Sequence, residues 1–158
     1  MNLKTVAAIS ALLSIAIAAP AFASPDVYVV NFRKSGDVKS QQLDSQLPSA
    51  LAMAGVNAEE VVIDTSTAAK WEKGAHEAFD RDIVPVFNKW VGLPGFAAVV
   101  DADTKRVIGC VTPEIPTDAM ARELKKMASA ARGEAFSSRA STSTATRCPA
   151  AFNVDPGF

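Results

Sequence analysis

The stretch Val27-Tyr28-Val29-Val30-Asn31-Phe32 is β-branched or aromatic at nearly every position, and no other feature constrains the fold as tightly. A strand with one wet face alternates apolar and polar residues, whereas a strand buried on both faces reads as an almost continuous apolar run. The run therefore predicts a strand in the middle of a sheet covered on both sides. Helices are the usual cover, and helical periodicities alternate with strand-like runs along the chain, which is the mark of the α/β class.

Arg33-Lys34-Ser35-Gly36-Asp37 is a polar turn after this strand. From Leu43, the residues Leu43, Leu47, Leu51 and Ala54 recur at helical spacing, with Pro48 near the front and Gly55 in the stop position. Glu60-Val61-Val62-Ile63-Asp64 is a second short strand, and the Ser/Thr-rich turn behind it can cap another helix. Between Ala68 and Trp90 the residues Trp71, Ala75, Phe79, Ile83, Val86, Phe87 and Trp90 follow each other by threes and fours. That spacing predicts one long helix, kinked or divided at Pro85. Its face with Phe79, Ile83, Phe87 and Trp90 is expected against the sheet, and Lys73, Glu77, Asp80 and Lys89 are expected opposite. If the stripe is exposed instead, Trp71, Phe79, Phe87 and Trp90 form the candidate partner surface.

Gly92-Leu93-Pro94-Gly95 is a turn. Phe96 to Asp101 and Arg106 to Val111 then flank a polar loop, as the strands of a hairpin do. Pro113 and Pro116 end the hairpin, and Thr117 or Asp118 caps a last helix carrying Met120, Leu124, Met127 and Ala131. The expected order is β-α-β-α-β-β-α around a central mixed sheet.

The two ends read differently. Met1-Asn2-Leu3-Lys4, an apolar run from Val6 to Ala19, Pro20 and Ala21-Phe22-Ala23 make a signal peptide over residues 1–23, cleaved before Ser24. The apolar run falls short of the roughly 20 residues a membrane span needs. A periplasmic or secreted domain over 24–132 is expected, with no membrane span after cleavage, followed by a flexible Ser/Thr-rich tail over 133–158 that has little to bury. Losing Lys4 leaves 15 basic residues against 17 acidic ones. That balance gives no electrostatic footprint for nucleic acid.

Cys110 and Cys148 are the two cysteines, so one intramolecular pairing exists, and an oxidising compartment favours it. Neither a C-x-x-C pair nor four zinc ligands is present, and the lone His76 completes no cluster. His76 lies near Glu72, Glu77 and Asp80 at helical spacing, which suits a general base or an ordinary charged helix face, the latter being favoured. Asp101-Ala102-Asp103-Thr104 has the alternation of a cation loop, but Lys105-Arg106 follows, as at a solvated hairpin tip. No catalytic residue, metal or cofactor is assigned.

Trp90-Val91-Gly92-Leu93-Pro94-Gly95-Phe96-Ala97-Ala98-Val99-Val100-Asp101, with Arg106-Val107-Ile108-Gly109 behind it, resembles the second half of a thioredoxin-like domain. Members of that superfamily carry a Gly, a short link, a cis-proline and an apolar strand, then a second strand ending in Gly before the final helix. Over residues 26–131 the resemblance implies a thioredoxin-like fold with a cis-proline loop at Leu93 and Pro94. Thioredoxins place C-x-x-C just after the first core strand, where this chain has Arg33-Lys34-Ser35-Gly36-Asp37. Without a thiolate there is no nucleophile to attack a disulfide, so the family's oxidoreductase activity does not carry over.

A narrower resemblance is to exported thioredoxin-like proteins of conjugative elements and type IV secretion loci. These have a signal peptide, an aromatic-bearing middle helix, an apolar strand like Phe96 to Val100 and a short final helix, and many lack a redox motif. It implies a non-enzymatic binding or assembly protein of the bacterial envelope, with a protein partner there. The alternative class is a thiol-disulfide oxidoreductase or redox-responsive protein using Cys110 and Cys148 as a remote pair. Cys110 falls in an expected strand, away from any helix N-terminus that would lower its pKa.

Overall fold

A computed structural model describes residues 24–134 and 147–151; the expected signal peptide and most of the expected tail lie outside them. The apolar run forms β1 (Val27–Arg33), an interior strand. It pairs in parallel with β2 (Ala58–Asp64) and antiparallel with β3 (Phe96–Asp101), and β3 pairs antiparallel with β4 (Val107–Val111). The order across this four-stranded mixed sheet is β2-β1-β3-β4. Alternate residues of β1 feed opposite layers. Val27 and Val29 pack with Leu43 and Leu47 of α1 (Val38–Ala54) and with Met120 and Leu124 of α4 (Thr117–Ala131). Val30 and Phe32 pack on the other side with Ile83, Phe87 and Trp90.

Helix α1 begins at Val38, ahead of the expected Leu43, because Asp37 caps it. The Asp37 carboxylate accepts hydrogen bonds from the Ser40 backbone N–H at 2.7 Å and the Ser40 hydroxyl at 2.8 Å. Pro48 therefore lies inside the helix, on its exposed side.

The helical stretch from Ala68 to Trp90, expected to be kinked or divided at Pro85, is divided into α2 (Ala68–Asp80) and α3 (Val84–Trp90). The break falls before Pro85, at Asp82, whose φ of 56° is left-handed. Asp82 N–H donates to the Phe79 carbonyl at 3.0 Å and Ile83 N–H to the Ala78 carbonyl at 2.9 Å. Those two bonds, closing over a left-handed residue, are a Schellman stop. Pro85 then sits in the first turn of α3, where a missing N–H costs nothing. The stop resets the helical phase, so Phe79 is 73% exposed while Ile83, Phe87 and Trp90 are buried. The expectation that Phe79 joins the buried face is corrected on that ground.

Among the described residues no helix is long and apolar enough to cross a membrane. The Ser/Thr-rich segment is outside the description, but residues 147–151 return to the sheet. Cys148 is at disulfide distance from Cys110 of β4, with Cα atoms 4.9 Å apart, and the Trp90 indole N–H donates to the Pro149 carbonyl at 3.1 Å.

Candidate functional site

Ligands of open α/β sheets gather beyond the carboxyl ends of the parallel strands, here the ends of β1 and β2. Three loops meet there. Ser35 N–H donates to the Ser66 hydroxyl at 2.7 Å, Thr65 N–H to the Arg33 carbonyl at 3.1 Å, and Gly95 N–H to the Phe32 carbonyl at 2.7 Å. Gly95 has φ of 90°, and a Cβ there would come within 2.6 Å of Lys39 Cβ and 3.1 Å of the Asp37 carboxylate. Only glycine fits this backbone approach. The peptide bond between Leu93 and Pro94 is trans, since no cis bond occurs among the described residues. This corrects the cis-proline expectation: the loop meets the N-terminal turn of α1 through Gly95, and the left-handed glycine rather than the proline supplies the close approach.

A polar chain runs from this end toward the edge of the sheet. Asn31 is 1% exposed in the middle of β1, and its amide N–H groups donate to Asp44 of α1 and Glu60 of β2, both at 3.1 Å. Arg33 Nη1 stands 3.1 Å from the other oxygen of Asp44, and its Nε stands 3.6 Å from Asp64, an ion-pair distance beyond hydrogen bonding. Lys70 of α2 closes the chain on Asp64 at 3.1 Å. Burial pushes the Asp64 carboxyl up, but hydrogen bonds from the Ser66 hydroxyl and N–H, and then from Lys70, outweigh it and leave the group below the ordinary carboxylate value. The Asn31 Oδ1 atom is buried without a hydrogen-bond partner among the described residues.

Beside this chain, β2 and α2 enclose a cleft of about 400 Å³ lined by Glu60, Val62, Asp64, Lys70, Lys73, Glu77 and Arg81. Helix α2 packs on the strand through Gly74, which is buried against Ile63. Its charges are mostly matched: Asp64 pairs with Lys70, and Arg81 bridges Glu59 and Glu77. No motif announces this cleft, because its residues come from two elements whose contact only the fold decides.

The aromatic stripe is split. Trp90 is fully buried and Phe87 is 5% exposed, whereas Trp71 is 46% exposed and Phe79, about two turns further along α2, is 73% exposed. Trp71 leans edge-on against Phe87, with ring centroids 5.7 Å apart, so half of the candidate partner surface belongs to the core and half faces solvent. His76 is exposed on the same helix, and Glu77 beside it turns to Arg81. At the hairpin tip Asp101 Oδ1 accepts the N–H groups of Asp103 and Thr104, both at 2.9 Å. Those backbone bonds, the Thr104 one first, hold its carboxyl below the ordinary value, so this carboxylate is engaged in closing the turn. No group of three or more His, Cys, Asp or Glu side chains is placed to hold a metal ion among the described residues.

Cys110 is completely buried in the layer with Trp90 and Phe96, and neither cysteine is free. Comparison of the chain with models of protein families, with curated proteins and with solved structures finds no match.

Proposed function

We propose that the chain is an exported, non-redox, thioredoxin-like binding or assembly protein of the bacterial envelope, an accessory of conjugation or secretion machinery. The observation that carries this reading is the first turn of α1. In a thioredoxin-like layout, with α1 and α4 on one face of a β2-β1-β3-β4 sheet and α2 and α3 on the other, that turn would hold the attacking thiolate. Here Asp37 occupies the position, and its carboxylate is used up in capping Ser40. The thiol-disulfide oxidoreductase reading has less support, because Cys110 sits in a strand, buried among apolar side chains that disfavour a thiolate.

Binding is better supported by Phe79 and by the exposed part of Trp71, large aromatic residues on one helix. Such residues are typical anchors of protein interfaces. The mature protein should begin at Ser24 by N-terminal sequencing of the exported form; a full-length chain retained in the membrane would contradict export. The double variant Trp71→Ala/Phe79→Ala should melt close to the parent and lose an envelope protein that the parent retains. Equal retention by both proteins, or insulin reduction by the parent, would overturn the reading.

A further inference from the structure

The geometry points to Cys148 as a thiol-exchange site: a dithiol donor opens the Cys110–Cys148 bond by attacking the Cys148 sulfur, and opening it uncovers the indole edge of Trp90. The inference is independent of the binding function above, because it makes this chain the substrate of a reductase and not a catalyst.

Thiol-disulfide exchange is an in-line displacement, in which the attacking thiolate approaches one sulfur from the side opposite its partner. The two sulfurs are unequal in that respect. Cys110 is 0% exposed, with the core around Trp90 and Phe96 behind it. Cys148 is only partly buried, on a short segment lying over the sheet, with Arg147 and Ala150 exposed on either side. Approach from behind Cys110 would have to pass through packed side chains, whereas Cys148 lies at the margin of that core and keeps part of its surface in solvent.

The donor thiolate bonds to Cys148 Sγ, the disulfide breaks, and Cys110 leaves with the bonding pair and takes up a proton as a buried thiol. The donor's second thiol then attacks the donor sulfur of the mixed disulfide and releases Cys148. In sum the dithiol donor gives up two electrons and two protons to become a disulfide, and the two cysteines receive them. A thioredoxin-type protein or a small dithiol supplies this chemistry. What the bond had held in place is the segment whose Pro149 carbonyl accepts the Trp90 indole N–H at 3.1 Å. With the tether gone, what holds residues 147–151 among the described residues is the Pro149 hydrogen bond and the partly buried Cys148 side chain, little against the entropy of ordering five residues.

The test uses the full mature protein. Folded protein is incubated with reduced glutathione, quenched in acid and mapped by peptide mass; trypsin cuts after Arg147 and separates the two cysteines. The expected product carries glutathione on Cys148, with none on Cys110. Glutathione on Cys110, equal labelling of both, or no reaction until the protein is denatured overturns the proposal. In a Trp71→Phe background, dithiothreitol should red-shift the remaining Trp90 emission while the far-ultraviolet dichroism stays native. Unchanged emission after complete reduction overturns the uncovering. The Cys148→Ser variant should show the same red shift without reductant, and if it does not fold, the adduct map on the parent still decides the point of attack.

Discussion

Glu114 has a side chain 57% exposed, yet the Lys39 ammonium 2.7 Å away and then the Thr112 hydroxyl hold its carboxyl down to about 2. The folded protein thus binds this proton less tightly than the unfolded chain, whose value is near 4.5. The stabilisation is present in full above the unfolded value and is lost as pH falls from about 4.5 toward 2. Glu114→Gln should therefore melt slightly below the parent at neutral pH, by an amount that water screening keeps small. Melting curves across the acid range should bring the two together; a gap that widens as pH falls contradicts the pairing. The aromatic residues separate more sharply. Phe87→Ala should cost roughly 3–5 kcal/mol, the range for emptying a packed aromatic site. Phe79→Ala and Lys73→Ala should each change stability by less than about 0.5 kcal/mol, as exposed substitutions do. Urea unfolding of the three variants measures this, and a Phe79→Ala loss as large as that of Phe87→Ala would mean that Phe79 is packed after all.

At the scale of elements, the stop at Asp82 governs which aromatic residues are wet. A non-glycine residue in the left-handed region carries strain of roughly 1–2 kcal/mol, and glycine carries none. Glycine also loses more freedom on folding, so Asp82→Gly should raise stability by no more than about 1 kcal/mol. Thermal melts test it, and a destabilised variant would show that the Asp82 side chain contributes what the backbone conformation does not. The same stop shows what the sequence can and cannot disclose. Strands β1 and β3 were legible because unbroken apolar runs need cover on both faces, and the helices because Leu43, Leu47 and Leu51, or Met120 and Leu124, repeat at their period. Helical phase across residues 80–84 was not legible. Periodicity treats Trp71 to Trp90 as one wheel, and nothing in Asp-Arg-Asp-Ile announces a left-handed turn when glycine is absent. The chain Glu60-Asn31-Asp44-Arg33-Asp64-Lys70 was hidden for another reason: it exists only once β1, β2, α1 and α2 are brought together. In the sequence Asn31 is one polar residue within an apolar strand, with nothing beside it to name its partners.

For the molecule as a whole, the disulfide spans a sequence separation of 38 residues. In the chain-entropy model a loop of that length stabilises by roughly 3–4 kcal/mol, the upper end of what Cys148→Ser should cost. Against a total of about 5–15 kcal/mol for a domain of this kind, the variant should remain folded with a lower urea midpoint. A midpoint equal to the parent's would mean that the bond constrains little of the unfolded chain. The sheet itself is built from distant partners. Val27 pairs with Ala58 on one side and with Asp101 on the other. Synthesis runs at roughly 5–20 residues per second, so β1 emerges several seconds before its antiparallel neighbour exists. For that interval a strand built to be covered on both faces has no complete sheet to enter, and its apolar side chains stay bare to water until the residues of β3 have been made.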